Sequence, residues 1–171
     1  RQMPTDDTVP LLYPGHFRAG ILTWPKQGFR KPNAICRNAV TARWLFRSGF
    51  YTVVRRFSSK EEQRRVVANV VDPGDFPGVE FLGFENHLNV FHRGKGGLPE
   101  NLARGLAAFL STRALDAHFR SFSGHTQVNA TDLRRMRYPN AEALDRLGRW
   151  AKEHADTNAD SVEAEVEALT A

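Results

Sequence analysis

The stretch Phe50-Tyr51-Thr52-Val53-Val54-Arg55-Arg56-Phe57 decides the fold class. β-Branched and aromatic residues fill it, which is typical of a β-strand. A second run of this kind, Val66-Val67-Ala68-Asn69-Val70-Val71, is stopped by Asp72-Pro73-Gly74. The residues from Glu80 to His92 predict one or two further strands. The middle of the chain therefore predicts a β-sheet.

Helical periodicity begins where these strands end. Leucine and phenylalanine recur at helical spacing between Pro99 and Phe122, and a similar pattern runs from Asn140 to Glu153. The acidic, alanine-rich end from Asp160 to Ala171 predicts a terminal helix or a frayed tail. This order of elements predicts an α/β (α+β) fold, in which helices flank a twisted mixed sheet and the C-terminal part is helical.

The length of 171 residues is suited to one domain with its own hydrophobic core. We predict an irregular, proline-rich N-terminal segment over residues 1–15, a domain over residues 16–153, and an acidic tail or helix over residues 154–171. The first residue is Arg1 rather than methionine, which we take to indicate a piece of a longer protein.

Cysteine usage and hydropathy exclude several classes of protein. Cys36 is the single cysteine, so an internal disulfide and a four-cysteine zinc site are excluded, and we expect no metal site. No signal peptide and no long apolar run is visible, so we expect no contact with a membrane. These features together predict a cytoplasmic protein.

Positive charge is concentrated in two parts of the sequence. Residues 16–65 hold twelve basic and two acidic side chains, a net charge of +10, whereas the whole chain has a net charge of +5. Residues 101–152 add a net charge of +5, and residues 66–100 between them have a net charge of −3. Two basic stretches of this kind favour a polyanionic partner such as duplex DNA. A solvated surface with ordinary ion pairs is the alternative explanation.

The run from Trp24 to Asn33 contains two prolines and a glycine, and it predicts a long exposed loop. Its basic, amide and aromatic side chains could contact phosphates and base edges. Trp24 is the best candidate for stacking on a base.

A second polar segment runs from Ser123 to Pro139. Gly124 permits an unusual backbone angle, and Asn129 or Thr131 can cap a short helix. His125, Thr126, Gln127 and Asn129 then form a polar cluster beside the three arginines at positions 134, 135 and 137.

This second segment resembles the C-terminal region of the gamma-class N6-adenine DNA methyltransferases of restriction–modification systems, which carry a fused target-recognition domain. Further matching strings include Phe17–Leu22, Lys31–Ile35, Arg55–Glu62 and Phe84–His92, so the resemblance covers roughly residues 12–140. The chain is also similar, more loosely, to the target-recognition domains of type I specificity subunits. The resemblance implies a mixed α/β domain that grips DNA and recognises a short base sequence.

The resemblance also implies a separate N-terminal catalytic domain. In the family that domain binds S-adenosylmethionine near a Phe-x-Gly-x-Gly motif and flips the target adenine against an Asn-Pro-Pro-Tyr motif. Neither string occurs here. We therefore expect no catalytic residue and no cofactor in this chain, with S-adenosylmethionine bound by the parent enzyme.

By residue type, Gln127 and Asn129 can each pair with adenine and Arg30 with guanine, whereas Lys26, Lys31 and Lys60 can hold phosphates. The predicted DNA-contacting side chains are Trp24, Lys26, Gln27, Arg30, Lys31, Asn33, Arg55, Arg56, Lys60, His125, Gln127, Asn129 and Arg134.

Two other functions remain open at this point. If residues 85–91 form one strand, Glu85, His87 and Asn89 share a face, which permits a metal-dependent nuclease. The chain could also be a protein-interaction module whose basic surface is incidental.

Overall fold

A computed structural model describes residues 3–155 and 159–170 and confirms the mixed α/β fold class. The strands are β1 (Thr8–Leu12), β2 (Phe17–Arg18), β3 (Ile21–Leu22), β4 (Ala34–Cys36), β5 (Leu45–Arg47), β6 (Tyr51–Arg55), β7 (Ala68–Val71), β8 (Phe81–Phe84) and β9 (Leu88–Phe91). The helices are α1 (Glu100–Leu110), α2 (Arg113–Phe122), α3 (Ala130–Arg135), α4 (Ala141–Glu153) and α5 (Ala159–Thr170).

The strands are divided among three sheets. The first has the order β4-β1-β8-β5 and is mixed, because β1 runs parallel to β8 while the other neighbours are antiparallel. The second is antiparallel, with the order β7-β6-β9, and the third is the β2-β3 hairpin. A three-residue turn, Glu85–His87, joins β8 of the first sheet to β9 of the second.

The strands and helices predicted from hydrophobic pattern are confirmed, including the C-terminal helix over its described residues. Ala171 lies outside the described residues. The predicted irregular segment over residues 1–15 is wrong for β1, and its first two residues also lie outside the described part. Pro10 is accommodated in β1 because its nitrogen faces away from β4, and β8 pairs with β1 only from Leu11 onward.

Strand β6 is buried on both faces, which explains its continuous run of apolar residues. Tyr51 and Val53 point into a core between the two larger sheets. Val54, on the other face, belongs to a second core formed with α1, α2 and α3. Thr52 shares that second face, and its hydroxyl donates to the Ala103 carbonyl of α1 at 2.7 Å. No helix in the described part of the chain is both long and apolar enough to cross a membrane.

Candidate nucleic-acid interface

The segment from His125 to Val128 lies alongside the residues that follow β6. Val128 N–H donates to the Arg56 carbonyl at 2.7 Å, and Ser58 N–H donates to the Thr126 carbonyl at 3.1 Å. Phe57 and Gln127 form an isolated antiparallel bridge between these two hydrogen bonds. The two segments therefore make a short two-stranded extension beyond the end of β6.

This extension brings together two of the predicted contact residues, which are 71 positions apart in the sequence. The Arg56 guanidinium donates to Gln127 Oε1 at 3.5 Å, a long and weak hydrogen bond. Both side chains are half-buried, so each keeps part of its polar surface available to a partner.

The buried side chain of Arg65 supports the extension from the interior of the protein. Its side chain is 1% exposed, and its Nε donates to Ser58 Oγ at 2.9 Å while Nη2 donates to the His125 carbonyl. The guanidinium also lies 5.5 Å from the ring of Phe119 on α2. Although Arg65 belongs to the basic stretch of the sequence, the structure makes it an internal support of the extension.

The Glu85–His87 turn borders the extension on one side. Glu85 Oε2 accepts the His87 backbone N–H at 2.9 Å and lies 2.7 Å from His87 Nδ1. The His87 carbonyl accepts Arg56 N–H at 2.8 Å. The centres of the His87 and Phe57 rings lie 5.0 Å apart. The nuclease hypothesis placed Glu85, His87 and Asn89 on one strand; the structure corrects this, because only Asn89 lies on β9.

The same residues show no metal-binding arrangement. The Asn89 amide donates to the Val128 carbonyl at 2.7 Å, so it supports the extension instead. Within residues 3–155 and 159–170, no group of three or more His, Cys, Asp or Glu side chains is placed to hold a metal ion.

The loop from Trp24 to Asn33 is anchored more firmly than the sequence predicted. Asn33 is 1% exposed, and its Oδ1 accepts Lys26 N–H at 2.8 Å while its Nδ2 donates to the Lys26 carbonyl at 3.1 Å. Trp24 Nε1 donates to the Asn33 carbonyl at 2.6 Å, and its ring packs 5.3 Å from Phe76. Asn33 is therefore committed to the interior of the loop, against its predicted contact with DNA, whereas the predicted role of the half-buried Trp24 stays a prediction.

His16 completes the base of this loop. Burial lowers the pKa of His16, so its imidazole is neutral at pH 7. A neutral ring can accept Tyr13 N–H at Nδ1 (3.0 Å) and donate from Nε2 to Asn33 Oδ1 (2.9 Å). The loop is thereby fixed by buried hydrogen bonds.

The predicted basic residues differ in how much charge they leave available. Lys26 Nζ donates to the Gly15 carbonyl at 2.8 Å, and Arg55 is ion-paired with Glu62. Gln27 is exposed, and the exposed residues Arg30, Lys31, Lys60 and Arg134 form no ion pair within the part of the chain that the structure describes. The exposed positive charges of the loop are therefore those of Arg30 and Lys31, whereas Lys26 is half-buried against the Gly15 carbonyl.

Two residues of the 125–134 segment have further contacts. Asn129 forms a capping box at the start of α3, in which its N–H donates to Asp132 Oδ2 at 3.3 Å. The Asn129 side chain is half-buried, whereas His125 is exposed. Arg134 lines an open cavity of about 360 Å³ together with Asn89 and Tyr138.

A chain of contacts joins the loop to the extension. Phe29 of the loop lies 5.9 Å from the ring of Tyr13, and Glu85 N–H donates to the carbonyl of Leu12 at 2.9 Å. Burial, and after it the negative charge of Glu85, raises the pKa of Tyr13. The Glu85–His87 turn therefore contacts both the N-terminal side of the loop and the extension.

The chain is similar to part of two type II methyltransferases. It is 49% identical over 156 residues to the type II methyltransferase M.BsuBI of Bacillus subtilis, which covers 91% of this chain and 31% of that protein. It is 42% identical over 139 residues to the type II methyltransferase M.PstI of Providencia stuartii, covering 81% and 27% respectively. The chain thus spans less than a third of the length of these relatives and resembles a fragment of a restriction–modification methyltransferase.

No protein-family model matches the chain, and no solved structure matches it. The two methyltransferase relatives support the resemblance stated from the sequence, at the level of a methyltransferase fragment.

Sequence reasoning missed three residues of this interface, namely Phe57, Ser58 and Arg65. Phe57 was the last residue of a predicted strand, Ser58 was predicted to lie in a turn or helix start, and Arg65 was counted with the basic stretch. The signal that separates them is tertiary, because each one contacts the 125–128 segment or its support.

Proposed function

We propose that this chain recognises a short base sequence in duplex DNA, as the target-recognition part of a site-specific adenine-N6 DNA methyltransferase. The observation that carries the proposal is the contact of Arg56 with Gln127 on the two-stranded extension, beside the Glu85–His87 turn. Glutamine can pair with adenine in two hydrogen bonds, and arginine can pair with guanine or phosphate. The two side chains together supply both kinds of contact from one surface.

The sequence lacks the catalytic motifs of the family, which supports assigning methyl transfer to a separate domain and DNA recognition to this chain. In this proposal an N-terminal catalytic domain of the parent enzyme binds S-adenosylmethionine and transfers the methyl group. The chain described here supplies the DNA contacts that position that domain. In this proposal Lys31 and Lys60 hold phosphates and set the register on the duplex, and Arg30 pairs with guanine.

Enrichment of duplexes from a randomised library by the purified 171-residue chain tests the proposal. We expect one short sequence to be enriched, and its affinity should fall steeply as salt is raised from low to moderate concentration. Binding that selects no sequence, or that ignores salt, would contradict the proposed recognition.

Substitution of Gln127 separates base recognition from charge. Gln127→Ala should relax the preference at one base position by about 1–3 kcal/mol, because the amide pair is lost. Lys31→Ala should instead weaken binding to all sequences alike, since it removes only a phosphate contact. Both effects can be measured by fluorescence polarisation on the enriched duplex and on a scrambled one.

Two exposed residues outside the proposed contact set serve as matched controls. Gln63→Ala removes an exposed glutamine beside α2 and α5, and Arg146→Ala removes an exposed charge on α4. Neither should change selectivity. Equal losses on both duplexes for Gln127→Ala would remove Gln127 from the recognition residues.

A further inference from the structure

We propose that Phe57 is a wedge that enters the base stack of bound duplex DNA. This inference rests on the proposed DNA-binding function. An inserted apolar side chain unstacks one base step and distorts the duplex around it.

The exposure of Phe57 is the first observation. Phe57 is 42% exposed, although it belongs to an otherwise well-packed strand end between buried Val54 and buried Ser58. The chain has twelve phenylalanines, and within the described residues Phe122 is the other one that is markedly exposed. Contact with a base would remove the exposed face of Phe57 from water.

The position of Phe57 is fixed on both sides, which is the second observation. The backbone hydrogen bonds of Arg56 and Ser58 to the 125–128 segment hold the residues before and after it. Its ring meets the ring of His87 at 62°, in an edge-to-face contact. A side chain that is already ordered loses little conformational entropy when it inserts.

The third observation is the polar and cationic surroundings of the ring. The Arg56 guanidinium carbon lies 5.8 Å from the centre of the Phe57 ring, and Gln127 is its bridge partner. An apolar tip between a cation and an amide is suited to a base step, where the cation can reach phosphate and the amide a base edge. A protein-docking site would instead place further apolar side chains around the ring.

Fluorescence of 2-aminopurine, placed at successive positions of the library-enriched duplex, tests this inference. We expect the 171-residue chain to raise the emission several-fold at one step, because an unstacked 2-aminopurine is no longer quenched. Phe57→Ala should abolish that rise and weaken binding about tenfold, whereas Phe57→Trp should keep both.

Phe122→Ala is the matched control. Phe122 is 41% exposed and also lies beside a histidine, His118, at 5.4 Å, but it has no arginine or glutamine partner of this kind in the described part of the chain. Its replacement should leave the emission and the affinity unchanged, and thermal unfolding of each variant confirms that it is folded.

The outcomes separate the two proposals. If no duplex is enriched, the proposed function fails. If a duplex is enriched and bound but no position brightens, or if Phe57→Ala brightens it as the unmodified chain does, the wedge is overturned while DNA recognition stands.

Discussion

Replacing Gly148 by alanine, which adds one methyl group, should lower the free energy of unfolding by roughly 3 kcal/mol or more. A Cβ built there would lie 1.7 Å from the Asn101 carbonyl oxygen and 2.6 Å from its carbon. At Gly105, the facing residue of α1, a Cβ would lie 1.9 Å from the Leu144 carbonyl oxygen. The obstacle is backbone in both cases, so the helices α1 and α4 must separate to relieve the contact.

Helix propensity alone predicts the opposite effect on stability, which makes the prediction for Gly148→Ala more discriminating. Alanine is favoured over glycine in a helix interior by about 1 kcal/mol, so in an open helix Gly148→Ala would stabilise the chain. The loss must therefore come from the crossing of α1 with α4. Since α1 also packs on β6 and β7, a displaced α1 would disturb the sheet that carries the interface.

Urea unfolding followed by circular dichroism measures the effect, and Gly124→Ala is the control. A Cβ added at Gly124 would meet nothing within 4 Å, so that variant should unfold within about 1 kcal/mol of the unmodified chain. Equal midpoints for Gly148→Ala and Gly124→Ala would show that the helices are not in backbone contact.

Local pattern was sufficient to predict most of the elements. The β-branched run around Val53 and the helical spacing of leucines in α1 and α4 identify buried faces without knowledge of their partners. Strand β1 was missed because Pro10 is a usual sign of irregular structure. Whether β1 can contain Pro10 depends on the side and the positions at which β4 and β8 pair with it, and local sequence does not give that information.

The candidate interface was predictable by residue type but not by contact. Residue type alone did not separate exposed from buried polar side chains: Arg30 and Lys31 are exposed, whereas Asn33 and Arg65 are buried. Their partners lie far away in the sequence, as with Arg65 and Asp116, which are 51 positions apart. The approach of Gly105 to Gly148 left no sequence signal either, since a helical glycine alone does not reveal a neighbouring backbone.

Replacing Asp116 by alanine should cost roughly 3–5 kcal/mol of unfolding free energy. This carboxylate is buried on α2, and its Oδ1 accepts the backbone N–H groups of Arg65 (2.7 Å) and Val66 (2.9 Å). Its Oδ2 accepts Arg120 Nε at 2.7 Å. Alanine leaves two buried N–H groups without an acceptor, and this accounts for most of the predicted loss of unfolding free energy.

The pH dependence follows from the same contacts. Burial by itself would raise the pKa of Asp116, but the hydrogen bonds from Val66, Arg120 and Arg65 outweigh it and hold the pKa below the usual value. A depressed pKa in the folded state contributes stability above the unfolded pKa, near pH 4, which is lost as the pH falls through the folded pKa. Asp116→Asn should therefore lose less stability than the unmodified chain on acidification below about pH 4.

Asp145→Asn provides the control for both measurements. Asp145 also pairs with an arginine four residues later, Arg149 at 2.8 Å, but at the exposed surface. Its replacement should change the unfolding free energy by about 0.5 kcal/mol or less and leave the acid dependence unaltered. Parallel acid profiles for Asp116→Asn and the unmodified chain would contradict preferential ionisation of Asp116.

This carboxylate also connects the core with the interface. Asp116 fixes the backbone of Arg65, and the Arg65 side chain holds Ser58 and the His125 carbonyl. In a folded Asp116→Asn variant, the amides of Ser58 and Val128 should exchange faster with solvent than in the unmodified chain, while amides of α4 should not. Faster exchange confined to these amides would mean that the surface on which Arg56 and Gln127 meet derives its rigidity from a buried acid, rather than from the sheets alone.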